Sequence, residues 1–164
     1  MKLMSTPLLI ITTVLAFAMP LDAQDRAASR DSISVVLDAF HAAASEADFD
    51  RYFGIFATDG VFIGTDATEH WTVDEFRAYV KPYFDAGRGW TYVPTARNIY
   101  LSPDGSTGWF DELLDNEGLG ETRGSGVLVR EDGEWKVAQY HLTIPVPNEI
   151  VAEVVEMIRK PAAQ

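Results

Sequence analysis

The chain has 164 residues, 47% of them hydrophobic and 12% aromatic, with a formal net charge of -12 and no cysteine. That length suits one compact domain with one core, and the composition excludes a chain that stays disordered. The acidic balance repels phosphate backbones and excludes nucleic acid as a partner, while the missing thiols exclude a disulfide framework and a lipid anchor on cysteine.

The first 23 residues have the pattern of a secretory signal. Lys2 supplies a positive start, Pro7 to Met19 is apolar apart from Thr12 and Thr13, and Leu21-Asp22-Ala23 offers small-residue cleavage after Ala23. The apolar run is shorter than the roughly 20 residues that cross a bilayer, so a cleaved leader is expected rather than an uncleaved anchor. The mature chain would then be secreted or periplasmic, with no membrane attachment. It stays acidic, because the leader removes only Lys2 and Asp22 among its charged residues.

After a polar lead-in over residues 24–30, the folded domain is expected to span residues 31–160. Ile33, Val36, Leu37, Phe40, Ala44 and Ala47 form one helical stripe, with Asp31 or Ser32 as the cap. Asp48 opens a shorter helix carrying Phe49, Tyr52, Phe53 and Phe56, then Thr58-Asp59-Gly60 turns into a short strand at Val61-Phe62-Ile63. Thr72 and Glu75 match a capping box, and the helix behind it is expected to bury Phe76, Tyr79, Val80 and Tyr83, with Pro82 in its last turn.

Strands follow, at Trp90 to Ser102, Thr107 to Asp115, Thr122 to Arg130 and Trp135 to Ile144, separated by Pro103-Asp104-Gly105, Asn116-Glu117-Gly118 and Glu131-Asp132-Gly133. Pro145 and Pro147 end the last strand. Asn148 is expected to cap a closing helix with Ile150, Val151, Val154, Val155 and Ile158 inward. Helices first and hairpin-joined strands afterwards indicate an α+β fold. A curved antiparallel sheet would wrap against the N-terminal helices, form a cone with an internal pocket, and carry an additional C-terminal helix.

Three segments resemble the SnoaL-like branch of the nuclear transport factor 2-like superfamily. They are the helix end Ala44-Ser45-Glu46-Ala47-Asp48, the junction Phe56-Ala57-Thr58-Asp59-Gly60-Val61-Phe62, and the strand from Asp132-Gly133-Glu134-Trp135-Lys136-Val137 to His141. The similarity covers about residues 31–147. It implies the cone fold, which hosts isomerases, dehydratases, cyclases and binding modules alike. It also implies that a pocket aspartate or histidine does the acid/base work where there is any. The C-terminal helix departs from the simplest pattern of the family.

Strand periodicity supplies the candidate site. On an unbroken strand Trp135, Val137, Gln139 and His141 share one face, which runs from core into something polar. A three-residue turn at Glu131-Asp132-Gly133 would set Val129 beside Trp135, Val127 beside Val137, Ser125 beside Gln139 and Arg123 beside His141; a two-residue turn would flip the result. His141 is the expected acid/base group, because its ordinary pKa lies near neutrality. The plainer alternative is a partly buried structural histidine. Arg123 would pair a ligand carboxylate or enolate, or else form an ion pair with Asp111 or Glu112.

Asp111 and Glu112 are adjacent, so only one can face the pocket. The hairpin register favours Asp111 opposite Arg123, with Glu112 as the alternative. Tyr52, Trp71, Trp90 and Trp109 are candidates for the pocket wall, with Ser125 and Gln139 as polar contacts; core packing would also explain the aromatics. Asp66, Glu69 and His70 lie near a plausible cavity mouth. No metal or cofactor is expected: the histidines are His41, His70 and His141, with no His-Glu-x-x-His spacing.

Two functional readings follow. In one, an exported domain binds a small apolar, oxygen-bearing molecule and acts as a cofactor-free acid/base isomerase, dehydratase or cyclase. In the other, the same cone only binds its ligand, or the domain serves as a dimeric assembly module. A homodimer would use an outer sheet face carrying Lys136, Ala138, Tyr140 and Leu142.

Overall fold

The computed structural model describes residues 23–160; the expected leader falls outside them except for Ala23. Helix α1 spans Ala23–Ser45 and buries Ile33, Leu37, Phe40, His41, Ala43 and Ala44. It starts well before Asp31, in the stretch expected as a loose lead-in. Arg26 explains the difference, donating to the carbonyls of Leu101 and Ser102 at 3.0 and 3.1 Å and tying the first turns to the sheet. Helix α2, Phe49–Gly54, is capped by Asp48, whose side chain accepts from the Arg51 amide. Helix α3, Val73–Asp85, carries the full Thr72–Glu75 capping box. It buries Phe76, Val80 and Phe84, and Tyr79 and Tyr83, expected inside, stay exposed.

Six strands form one sheet: β1 Phe56–Ile63, β2 His70–Thr72, β3 Val93–Leu101, β4 Thr107–Asn116, β5 Gly120–Glu131 and β6 Glu134–Thr143. Their spatial order is β2-β1-β6-β5-β4-β3. Every pairing is antiparallel except β1 with β6, which is parallel. The architecture is α+β, with a curved open sheet packed against the N-terminal helices. α1 lies on β3 and β6, and α3 on β1 and β2. The core runs from Ile33 and Leu37 of α1 to Phe110, Leu114, Leu128 and Val137 of the sheet. Each such side chain contributes about 1.5–3 kcal/mol on full burial.

Two local features overturn the expected register. The β5–β6 turn has two residues, Asp132 and Gly133, both at positive φ, so Glu131 pairs with Glu134 and Arg130 with Trp135. Such a turn matches the twist of the strands it joins. The ladder then shifts between Leu128↔Val137 and Val127↔Gln139, leaving Ala138 as an extra residue on β6. The bulge breaks the alternation. Trp135 and Val137 face inward before it, Tyr140 and Leu142 face inward after it, and Gln139 and His141 turn outward. Tyr140 and Leu142 are therefore core residues, not part of the outer face.

After Thr143 the chain forms a 3-10 turn at Asn148–Ile150 and helix α4, Val151–Arg159. Asn148 makes no capping hydrogen bond there, and α4 buries none of its residues, contrary to the inward stripe expected of it.

Candidate active site

Between α1, α3 and the inner sheet face lies a cavity of about 180 Å³, lined by His41, Tyr52, Trp71, Trp90, Tyr92 and Tyr140 among others. An apolar cavity of about 150 Å³ holds a benzene ring, so this one suits a ligand of similar scale. One wall is built by Phe40, His41 and Ala44 of α1, with His41 continuing the buried Ile33–Leu37 stripe at four-residue steps.

Behind that wall stands Glu112 on β4, 1% exposed. Its Oε1 takes hydrogen bonds from His41 Nε2 at 2.7 Å and from the Tyr140 hydroxyl at 3.1 Å. Its Oε2 accepts from Arg97 Nε at 2.8 Å. Arg97, on β3, also reaches Asp38 at 2.7 Å and both the carbonyl and the hydroxyl of Ser34 on α1. Burial by itself would raise the Glu112 carboxyl, but the hydrogen bond and charge of His41, followed by those of Arg97, bring it below the usual carboxylate range. Burial likewise opposes the Arg97 charge, yet Glu112 and Asp38 hold the guanidinium protonated.

An ionised Glu112 can only accept hydrogen bonds. His41 must therefore donate through Nε2, and in the neutral ring the lone pair sits on Nδ1. Tyr140 is pushed well above the ordinary phenol value by burial first and by the Glu112 charge second, so it stays protonated. The set combines an imidazole that can take a proton, a carboxylate that orients it and balances the imidazolium, and a neutral phenol.

Tyr52 adds a second phenol. It is fully buried, and burial keeps its pKa well above the ordinary value. Trp90 lies close enough to ease its ionisation slightly, yet the hydroxyl has no partner in hydrogen-bond geometry among the described residues.

The residues singled out from the sequence divide between the two faces. Tyr52, Trp71 and Trp90 line the cavity, and Glu112 lies at the centre of the buried network. Asp111 faces the other way and accepts from the Asn98 amide at 3.1 Å. His141 pairs with Ser125, and Arg123 with Leu113 and Thr143, all on the outer face together with Gln139. Trp109 is 44% exposed there and stacks on Tyr100. The two-residue turn and the Ala138 bulge are the physical cause of these corrections. Arg123 and His141 are diagonal neighbours as sheet residues, but away from the cavity.

Sequence reasoning passed over His41, Arg97 and Tyr140. His41 carried a signal, since it continues the Ile33–Leu37 stripe. Arg97 and Tyr140 carried none that the strand pattern alone could reveal. Among the described residues no group of three or more metal-ligating side chains is arranged around one point, and no helix is long and apolar enough to cross a membrane.

The model of the SnoaL-like domain family matches residues 33–147, which leaves α4 outside the match. Among solved structures, an NTF2-like protein of unknown function from Pseudomonas putida KT2440 superimposes with a TM-score of 0.62 at 16% identity, over 75% of this chain and 91% of that one. A protein with a cystatin-like fold from Nostoc punctiforme gives 0.60 at 18% identity, over 77% and 96%. A candidate scytalone dehydratase from Novosphingobium aromaticivorans gives 0.65 at 10% identity, over 76% and 89%. At these identities the likeness concerns the fold. A comparison with curated proteins finds no match. With the family match covering most of the folded residues, and with a fold like that of the NTF2-like and cystatin-like structures, the chain belongs to the SnoaL-like domain family.

Proposed function

We propose that the cavity binds a small, ring-sized, mostly apolar molecule and that His41 acts on it as a general acid/base, in a cofactor-free isomerisation, dehydration or cyclisation. The observation that carries this reading is the buried His41–Glu112–Arg97 chain opening on an aromatic cavity. A buried carboxylate, imidazole and guanidinium are costly to assemble in a wall that apolar side chains could fill, and perturbed titratable groups cluster at functional sites. Glu112 holds the ring through its Nε2 and fixes its orientation. Tyr52, whose hydroxyl has no partner among the described residues, donates a hydrogen bond to a ligand oxygen, while the Tyr140 hydroxyl donates to Glu112 and holds that carboxylate in place. The likeness to a candidate dehydratase supports the same reaction class at the level of the fold.

The test is native mass spectrometry of protein purified from its own host, followed by turnover assays on whatever small molecule is retained. His41→Gln should lower turnover by about 10²–10⁴ with little change in ligand affinity, and His141→Gln should change neither. Unchanged turnover in His41→Gln refutes the assignment. Retention of a ligand that is never converted favours the binding-module reading.

Two further parts of the reading concern the whole protein. Export is proposed from Lys2, the apolar run and Ala23, with a mature chain beginning at Gln24; a mature chain that still begins at Met1 in the cytoplasm would refute it. A homodimer is proposed because the stacked Tyr100–Trp109 pair on the outer face and the apolar residues of α4 are exposed in a single chain. Sedimentation as a monomer at every concentration would refute that.

A further inference from the structure

The cavity wall has a marked charge bias. Apart from His41, whose Nε2 is tied to Glu112, and the phenols, its ionisable group among the described residues is Glu69, with no lysine or arginine in the lining. Arg97 sits behind Glu112 and is not part of the wall. Glu69 lies just before β2, half-buried, with its side chain over Gly64 and its Oε2 accepting from the Asp66 amide at 3.2 Å. Gly64 and Thr65 also line the cavity, so the carboxylate stands at its rim.

Aromatic rings share the cavity lining with that carboxylate. Trp71 stacks on Tyr79 at 4.9 Å, and Tyr92 joins them in the lining. Tyr92 has a raised pKa, from burial first and the Glu69 charge second, and in Tyr79 the Glu69 charge adds to the larger effects of burial and Tyr83. The chain as a whole carries a net charge of -12, which raises the local concentration of cations. A ligand carboxylate would meet like charge here with no counter-cation in the wall. A cation would meet a carboxylate and the electron-rich rings that favour ammonium groups.

Resting on the reading of the cavity as a ligand site, we propose that its ligand carries a protonated amine, held at the rim by Glu69 with Trp71, Tyr79 and Tyr92, while its apolar body enters the cavity toward His41 and Tyr140. Glu69 is then the residue that selects ligand charge, and the acid/base centre acts on the neutral part of the same molecule.

Three probes that differ only in the end group test this: phenethylamine, phenethyl alcohol and phenylpropionate, titrated into the full chain by calorimetry at neutral pH and low salt. The amine should bind about tenfold tighter than the alcohol, the carboxylate more weakly than either, and the amine's advantage should shrink as salt is added. In Glu69→Gln, with its fold checked by circular dichroism, the amine and the alcohol should bind within about twofold of each other. An amine that binds no tighter than the alcohol in the wild-type chain overturns the proposal, as does an advantage that survives in Glu69→Gln. If the alcohol binds and the amine gains nothing, the cavity reading stands and this inference alone falls. If none of the three binds, both fall.

Discussion

His41 Nε2 stands 2.7 Å from Glu112 Oε1, although the two residues are 71 positions apart in the chain. One lies on the first helix and the other on the fourth strand, so the contact exists only once α1 is laid across the sheet. Arg97 completes the arrangement by bridging Glu112 to Asp38 and Ser34, which are one and two helical turns before His41. The same ion pairs that hold α1 on the sheet therefore also set the protonation of the site.

Replacing Glu112 with Gln should cost about 3–5 kcal/mol of stability at neutral pH, because Arg97 is left buried without its main anion. The pH dependence distinguishes this from a packing defect. The folded-state pKa of Glu112 lies below its unfolded value of about 4.3, so its contribution is present above that pH and is lost as pH falls through the folded value. Urea midpoints across an acid series should show the gap between wild type and Glu112→Gln closing over that window. Asp66, Glu75 and Asp104 also titrate low, but equally in both proteins. A gap that stays constant with pH would mean that Glu112 is not ionised in the folded protein.

Much of the fold was legible from local pattern. The Thr72–Glu75 capping box, the α1 stripe and the strand sequence rest on short-range chemistry that needs no tertiary partner. The site was less so, for three physical reasons. Neither face of the segment around Asp111 and Glu112 is the more apolar, and only His41, Arg97 and Tyr140, all distant in the chain, show why Glu112 is the inward one. Asp132-Gly133 is a sequence with a strong preference for a two-residue turn, and reading three residues there moved every β5 side chain across while Trp135 and Val137 stayed inward. The Ala138 bulge then reversed the phase within β6, and a period-2 pattern has no term for an extra residue.

Gly124 is required by what faces it. A Cβ there would strike the Tyr140 hydroxyl and come within 3.0 Å of Glu112 Oε1. Gly124→Ala must push Tyr140 off its 3.1 Å bond to Glu112, at an expected cost of about 1–3 kcal/mol. In a Tyr140→Phe background the clashing oxygen is gone, so the same change should cost less. A double-mutant cycle by chemical denaturation should therefore give a clear coupling term, and strictly additive effects would place Tyr140 elsewhere.

Alkaline titration reads the two buried phenols. Of the six tyrosines, Tyr52 and Tyr140 are raised furthest, by burial first, so they should remain protonated when exposed phenols ionise near about 10. A group whose folded pKa is raised contributes stability below its unfolded value and loses it as pH rises through the folded one. Absorbance titration should show these two ionising together with loss of circular dichroism, not before it. Six phenols titrating smoothly in a folded chain would contradict the packing around α1.

The neighbours His141 and Leu142 test the phase of β6 directly. Past the bulge, His141 faces outward beside Ser125, and Leu142 is 8% exposed in the cavity wall. His141→Lys should stay within about 0.5 kcal/mol of wild type, as surface changes do. Leu142→Asp buries a charge with no cation in the cavity lining and removes apolar contacts, so it should cost about 3 kcal/mol or more. An unbroken strand predicts the reverse, with His141 inward and Leu142 outside. Two thermal denaturation curves decide between the two phases, because a one-residue shift exchanges the outcomes of these adjacent substitutions.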